Sequence, residues 1–230
     1  QQLSNAGLDY DFLDFRSLRN ARIKDKALHI TNEKYRIIIL SDMRAIHHSF
    51  LEKIRDFHRA GGIVLASGVL PEASSHEGEQ DKEVDTILQE IFGLTAREAK
   101  EGKTVSRQTN QAGGTGIYVA DGAVEKVVPR LILPDFISNE KGGKVLHRRI
   151  GERDMYMVMN VEKGSECFFR SIGKIELWDA TDGSIMDLPI LRQTEQGTWI
   201  RMDKEYTNSY LIVFSPGKPK MLENTKLEIA

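Results

Sequence analysis

The chain has 230 residues, of which 40% are hydrophobic and 29% are charged; these proportions exclude a disordered or fibrous protein and suit two globular domains of about 100–150 residues each. The 32 basic and 34 acidic residues give a net charge of −2, which offers no electrostatic basis for binding nucleic acid. The longest aliphatic run, residues 37–40, is far shorter than the roughly 20 residues that a membrane-spanning helix needs.

The first half of the chain alternates between strand and helix patterns. In chain order it predicts a strand over residues 8–15, a hairpin over 21–30, a buried strand over 35–40, a helix over 50–58, a second buried strand over 63–66, a helix over 81–92, a strand over 116–119 and a short helix over 123–128. Strands that alternate with helices are typical of an α/β domain with a parallel sheet, which we assign to residues 1–139.

After Pro134 the pattern changes to short strands in which apolar and polar residues alternate. The predicted strands cover residues 145–150, 155–161, 167–172, 175–178, 185–188, 198–202 and 210–214. Short strands at spacings near 10 residues, separated by turn residues, predict a β-sandwich, which we assign to residues 140–230. The polar, glycine-containing segment 139–144 predicts a flexible joint between the two domains.

The adjacent residues His47 and His48 invite a metal-site hypothesis. Neighbouring side chains diverge by about 100° on a helix and by 180° on a strand, so such a pair rarely shares one ion. No HExxH pattern or cysteine partner accompanies them. A surface position at the start of a helix is therefore the favoured interpretation, metal ligation is the alternative, and we predict neither a metal nor a cofactor.

No catalytic residue is predicted. Ser67 follows a strand but lacks the first glycine of a G-x-S-x-G nucleophile motif. Cys167, the single cysteine, lies in a strand-like run and is interpreted as a packed strand residue. The glycine-rich segment 113–116 precedes a strand rather than a helix, which argues against a phosphate-binding loop.

Polar residues near the predicted boundary are candidates for the seam between the domains. Alternation along a strand sends His147 and Arg149 to one face and Arg148 to the other. We expect Asp154, on the next strand, to pair with one of these arginines, or an arginine to reach the first domain. Trp178 is interpreted as a core or seam residue, with stacking on a sugar ring as the alternative.

Several segments, taken together and in order, carry a family resemblance. They are residues 8–14, Leu18, residues 27–30, 35–40, 51–57, 61–64, 68–71, Leu133-Pro134-Asp135-Phe136, Leu146-His147-Arg148-Arg149, residues 154–160, Glu176-Leu177-Trp178-Asp179 and Asp182-Gly183. This series resembles the region that follows the catalytic barrel in large bacterial glycoside hydrolases of the α-L-rhamnosidase kind.

The resemblance implies a flavodoxin-like or amidotransferase-like domain that lacks its first strand, followed by a β-sandwich. In that family the catalytic carboxylates lie on the upstream barrel, so the implied role is a non-catalytic accessory region. Its implied partners are the upstream catalytic domain of the same polypeptide and plant or microbial polysaccharide, without nucleic acid or membrane, in the periplasm or outside the cell. Because the chain begins with Gln1 rather than Met, we expect it to be cut from a longer protein.

Two other function classes stay open at the level of sequence. The first is a free-standing carbohydrate-binding or scaffold protein. The second is an enzyme in its own right, acting at the ends of the parallel strands near Ser41, Asp42, Ser67 and Gly68.

Overall fold

The computed structural model describes residues 2–31, 33–120, 124–139, 143–202 and 209–222. The chain divides into two compact units. We call Asp11–Val124 the α/β unit, and Gln1–Tyr10 together with Glu125–Ala230 the β unit. The units differ from the predicted domains 1–139 and 140–230, because the first ten residues and residues 125–139 belong with the β unit. Of the predicted joint at residues 139–144, residues 140–142 lie outside the described residues, and the division into domains at residue 139 stays a prediction.

Most helices are short. They are α1 (Gln2–Asn5), α2 (Phe15–Asn20), α3 (His48–Arg59), α4 (Lys82–Phe92), α5 (Ala96–Lys100) and α6 (Val124–Val127), with a 3-10 turn at Val128–Arg130. None of the described helices is long and apolar enough to cross a membrane.

The described residues of the α/β unit form three small sheets. Their strands are β1 (Arg22–Lys24), β2 (Ala27–Ile30), β3 (Glu33–Tyr35), β4 (Ile37–Ser41), β5 (Ala45–Ile46), β6 (Ile63–Ser67), β7 (Ala73–Ser74), β8 (Gly78–Glu79), β9 (Val105–Thr109) and β10 (Thr115–Val119). The central sheet has the order β4-β6-β10-β9, in which the first three strands are parallel and β9 is antiparallel. The other two sheets have the orders β1-β2-β3 and β5-β7-β8.

One apolar core holds the α/β unit together. The helices α3 and α4 bury the residues that recur at helical spacing, such as Leu51, Ile54 and Ile87, in a cluster with Val64 of β6 and Leu40 of β4. Covering by helices explains why the inner strands β6 and β10 are buried almost throughout. The predicted buried strands and helices of this half are thereby observed, with ends shifted by a few residues.

Local chemistry sets the ends of these elements. The hairpin between β1 and β2 turns at Asp25 and Lys26, which both have positive φ, as a two-residue turn of the right twist requires. Helix α4 begins at Asp81, whose carboxylate accepts hydrogen bonds from the backbone N–H groups of Glu83 and Val84. It ends at Gly93, which adopts the left-handed conformation with φ of 69°.

In the part of the β unit that the structure describes, the strands form two antiparallel sheets. Their strands are β11 (Phe136–Ser138), β12 (Lys144–Ile150), β13 (Arg153–Met159), β14 (Glu166–Phe169), β15 (Lys174–Trp178), β16 (Ile185–Asp187), β17 (Ile190–Thr194), β18 (Gly197–Arg201) and β19 (Ser209–Ser215). One sheet has the order β11-β14-β18-β17 and the other the order β12-β13-β19-β15-β16. Residues of both sheets, including Phe169, Tyr156 and Ile212, form a single buried cluster, as expected where alternating strands turn one face inward.

The prediction of a strand over residues 8–15 is wrong. Residues 8–14 form no strand, and α2 begins at Phe15 because Asp14 accepts a hydrogen bond of 2.8 Å from the backbone N–H of Ser17. Helix α5 and strand β9 were not predicted. The predicted short helix over 123–128 is observed as α6 and the following 3-10 turn, with residue 123 outside the described residues.

Candidate functional site

Four of the five seam candidates lie on two neighbouring strands. His147, Arg148 and Arg149 belong to β12, and Asp154 belongs to β13. The antiparallel register places Arg149 opposite Asp154 and His147 opposite Tyr156. The structure therefore brings the polar residues of the β12–β13 hairpin within reach of one another.

His147 lies between two carboxylates. Its Nδ1 is 3.1 Å from Oδ1 of Asp135, and its Nε2 is 3.0 Å from Oδ1 of Asp154. The His147 and Asp135 side chains are 17% and 6% exposed, so water screens this contact little. An imidazole ring that faces an acceptor at both nitrogens carries a proton on each, which makes His147 a cation.

The pKa values of the three groups agree with this charge state. Burial lowers the pKa of His147, but hydrogen bonds and charges of Asp135 and Asp154 outweigh it and raise the pKa to about 9. Burial raises the pKa of Asp135 and of Asp154, but the hydrogen bond with His147 and nearby cations outweigh burial and lower both values. At neutral pH the site is therefore one imidazolium between two carboxylates.

Further bonds fix Asp135 in place. Arg170 donates from Nη2 to Oδ1 of Asp135 at 2.5 Å, and the backbone N–H of Asp9 donates to Oδ2 at 3.2 Å. Arg148 donates from Nη1 to Oδ2 of Asp9 at 2.6 Å. These bonds link the start of the chain, the segment before β11 and the β12–β13 hairpin. We call His147, Asp135, Asp154, Arg170, Arg148 and Asp9 the His147 cluster.

The aromatic ring of Tyr156 packs against the His147 cluster. It stacks on the His147 ring, with centroids 4.1 Å apart and planes within 7°. Its hydroxyl lies 2.7 Å from Oγ of Ser171, and burial raises the pKa of this hydroxyl above its usual value. Tyr156 is fully buried in the core of the β unit. A protonated imidazole over an aromatic face gains further stabilisation.

The remaining candidates contribute differently. The charge of Arg149 helps to lower the pKa of Asp154. Trp178, on β15, donates from Nε1 to Oε2 of Glu176 at 3.0 Å, and the guanidinium of Arg153 lies 5.8 Å from its ring centroid. Its contacts are thus distinct from those of the His147 cluster.

Sequence reasoning missed Asp135 and Arg170 as members of the cluster. A signal for Asp135 was present, because it is the single charged residue in the otherwise apolar segment 131–137. A lone charge in such a segment is typical of a buried, paired group. Arg170 gave no comparable signal, since it lies within the predicted strand over residues 167–172, at a position where a solvated arginine is common.

The bonds of the His147 cluster link three segments of the chain. Both nitrogens of His147 are engaged, so the ring has no lone pair with which to act as a base. The nucleophile candidates are also unsuitable: Cys167 is buried in β14, where burial raises the pKa of its thiol to about 12, and Ser67 is buried at the end of β6. A group of metal-ligating atoms exists in the α/β unit, at His48, His76 and Glu83.

An aromatic groove of about 260 Å³ lies elsewhere in the β unit. Phe168 and Trp199 contribute rings whose centroids are 4.6 Å apart, and Asn139, Glu166 and Gln196 contribute polar groups. The guanidinium of Arg192 lies 3.9 Å from the centroid of the Trp199 ring. Aromatic rings beside amide and carboxylate groups are suited to contact with a sugar.

Comparison with known proteins gives one family and several similar structures. The family model of alpha-L-rhamnosidase, glycoside hydrolase 106, matches residues 2–190. A rhamnosidase from Novosphingobium sp. PP1Y is 20% identical with a TM-score of 0.66, over 96% of this chain and 21% of that one. Alpha-L-fucosidase isoenzyme 2 from Paenibacillus thiaminolyticus is 13% identical with a TM-score of 0.57, over 94% of this chain and 44% of that one. A comparison with curated protein sequences gives no match. The chain thus spans about a fifth of the rhamnosidase and less than half of the fucosidase.

Proposed function

The chain belongs to the alpha-L-rhamnosidase family of glycoside hydrolases, and we propose that it serves such an enzyme as a non-catalytic accessory region. The main support for the proposal is the share of a whole enzyme that the chain covers. The chain aligns over 96% of its own length with only 21% of the Novosphingobium rhamnosidase, so a chain of this size corresponds to a minor part of a whole enzyme. The catalytic domain, in this proposal, lies upstream in the same polypeptide.

The carboxyl groups support a non-catalytic role. A glycosidase needs a general acid with a raised pKa, paired with a second carboxylate across a cleft. Among the described carboxyl groups whose pKa is shifted, each is shifted downward, because hydrogen bonds and neighbouring cations outweigh burial. These groups are Asp14, Asp81, Glu90, Glu98, Asp135, Asp154 and Glu176. A carboxyl group of this kind stays ionised and is a poor proton donor to a leaving sugar.

The proposal includes the two fold types that the resemblance implies. Three parallel strands with α3 and α4 packed in the same core support a flavodoxin-like or amidotransferase-like domain. Two antiparallel sheets that share one core support a β-sandwich. The TM-score of 0.66 with the Novosphingobium rhamnosidase supports a shared fold at low sequence identity.

The proposal gives the seam candidates a structural role. His147 contacts Asp135 and Arg148 contacts Asp9, and both aspartates precede the predicted boundary at residues 139 and 140. Asp154 bonds to His147 from the other side of the ring. The cluster therefore ties together segments on both sides of that boundary. Arg149 and Trp178 are proposed as further seam residues, available to the upstream catalytic domain.

Hydrolysis of aryl glycosides tests the proposal. The purified 230-residue chain is incubated with nitrophenyl α-L-rhamnoside and with a panel of other nitrophenyl glycosides. We expect no release of nitrophenol above that of a heat-treated sample. Turnover that disappears on substitution of a single carboxylate of this chain would overturn the proposal.

The aromatic groove favours a second candidate function, that of a carbohydrate-binding protein. In that case polysaccharide should retain the chain in affinity electrophoresis, and Trp199→Ala should abolish the retention. Trp178→Ala is the matched control, because Trp178 lies on β15, outside the groove. Retention without hydrolysis would favour this candidate over an accessory role, whereas equal retention of both variants would exclude the groove as the binding surface.

A further inference from the structure

Three residues that are distant in sequence meet in the α/β unit. His48 is the first residue of α3, His76 lies in the turn between β7 and β8, and Glu83 lies in the first turn of α4. Their ligating atoms, two imidazole nitrogens and a carboxylate oxygen, all lie within 4.8 Å of one another. We call these residues the His48 cluster.

The ring of His48 is oriented with one nitrogen toward its two neighbours. Nε2 of His48 is buried and lies 2.9 Å from Oε2 of Glu83, yet at an angle that makes no hydrogen bond. On the other side of the ring, Nδ1 lies 3.5 Å from Oε2 of Glu52, one turn further along α3. In the tautomer with hydrogen on Nδ1, which faces the Glu52 carboxylate, the lone pair of Nε2 is directed at the cluster.

The backbone that carries the three residues is linked by hydrogen bonds of its own. The backbone N–H of His48 donates to Oγ of Ser75 at 3.1 Å, and the backbone N–H of His76 donates to Oγ of Ser74 at 2.9 Å. The Ser74 hydroxyl in turn donates to Asp81, the residue that caps α4 just before Glu83. The start of α3, the β7–β8 turn and the start of α4 are therefore held together before any ligand arrives.

We propose that His48, His76 and Glu83 bind one divalent first-row transition-metal ion, with Zn²⁺ as the reference ion. Two imidazole nitrogens and one carboxylate oxygen form a donor set that such ions accept, and a water molecule completes a tetrahedron. In a tetrahedron with ligands at about 2.0–2.2 Å from the ion, two ligands lie about 3.3–3.6 Å apart, so the widest pair must close by up to about 1.5 Å. The exposed side chains of His76 and Glu83 have the freedom to do so.

The competing interpretation is an ordinary ion pair between a protonated His48 and its two glutamates. That interpretation gives no role to His76, whose ring centroid lies 5.0 Å from that of His48. It also leaves a buried Nε2 without a hydrogen bond, which costs free energy. A metal ion supplies a partner for Nε2 and joins the second imidazole to the same centre.

Metal titration of the 230-residue chain tests the site. After treatment with a chelator, the chain is titrated with Zn²⁺ in a calorimeter and with Co²⁺ in a spectrophotometer, where nitrogen and oxygen ligands give visible absorption bands. We expect one equivalent of each metal to bind and Zn²⁺ to raise the unfolding temperature. His48→Ala, His76→Ala and Glu83→Gln should each weaken binding by about tenfold or more. His29→Ala, which alters a histidine of β2 outside the cluster, should bind as the wild type does.

Two results would overturn the proposal. The first is the absence of saturable binding at a tenfold excess of either metal over the wild-type chain. The second is unchanged affinity in His76→Ala, since this exposed turn residue can be replaced without loss of fold. Circular dichroism identifies a variant that fails to fold, and in that event His76→Ala decides the outcome.

Discussion

At the scale of single residues, the charge state of His147 links the stability of the chain to pH. Burial of the ring lowers its pKa, but Asp135 and Asp154 raise it from 6.5 to about 9. A group whose pKa is higher in the folded chain than in the unfolded chain contributes stability below the unfolded value. That contribution is lost as the pH rises through the folded value. The two aspartates act in the opposite sense, since their lowered pKa values contribute stability above 3.8 that is lost in acid.

The free energy of unfolding should therefore be highest between about pH 4.5 and 6.5 and should fall as the pH rises to about 9. A pKa shift from 6.5 to about 9 corresponds to a change on the order of 3 kcal/mol. Urea denaturation at a series of pH values measures this profile. His147→Gln should remove most of the fall, whereas His29→Gln should preserve it. A wild-type profile that is flat between about pH 6.5 and 9 would contradict the charge state assigned to His147.

At the scale of secondary-structure elements, α4 depends on one buried acidic residue. Asp81 is 1% exposed and accepts hydrogen bonds from the backbone N–H groups of Glu83 and Val84 and from the Ser74 hydroxyl. These bonds outweigh burial and lower the pKa of Asp81, with the Ser74 bond as the largest cause. The same carboxylate thus begins the helix and anchors strand β7 to it.

Replacement of Asp81 by alanine should destabilise the chain more than loss of an ordinary helix cap does. A cap alone contributes about 0.5–2 kcal/mol, and the unpaired Ser74 hydroxyl adds to the cost. We expect Asp81→Ala to lower the free energy of unfolding by about 2–3 kcal/mol in urea denaturation. Asp14→Ala, which removes the exposed cap of α2, should cost less. Equal losses in the two variants would show that the contact with β7 adds nothing.

The elements that the sequence predicts well are those with a strong apolar pattern. Strands β4 and β6 and helices α3 and α4 carry apolar residues at strand or helix spacing, and each is observed. Strand β9 has no such pattern, because it lies at the edge of its sheet with mostly exposed side chains and pairs only with β10. Residues 8–14 show the opposite error, a strand that is predicted but not observed. Their apolar residues alternate as in a strand, but their backbone joins no sheet.

The His147 and His48 clusters show that a single sequence predicts local neighbours but not partners from distant segments. Alternation and the position of the β12–β13 turn place His147 near Asp154, but nothing in a single sequence predicts that Asp135 lies on the other side of the ring. For His48, the argument that adjacent histidines diverge holds, since His47 instead contacts Ser49 and Phe15. The partners of His48 come from two other elements, 28 and 35 positions along the chain, where local spacing carries no information.

At the scale of the whole molecule, we propose that the chain is an accessory region of an enzyme of the alpha-L-rhamnosidase family. Each unit has its own core, and the His147 cluster joins Asp9, Asp135 and the β12–β13 hairpin within the β unit. The contacts described for His147 are with residues of this chain, and its nitrogens are saturated by them. This geometry supports the proposed role of the cluster in the stability of the chain.

The most direct test compares stability with catalysis in the full-length polypeptide that the gene encodes. If the chain is an accessory region, His147→Gln should lower the unfolding temperature, because Asp135 and Asp154 lose the imidazolium that lies between them. The same variant should keep kcat for an aryl α-L-rhamnoside within about twofold of the wild-type value. A fall in kcat of about a hundredfold or more, with an unchanged unfolding temperature, would place the His147 cluster in the catalytic machinery and contradict the account.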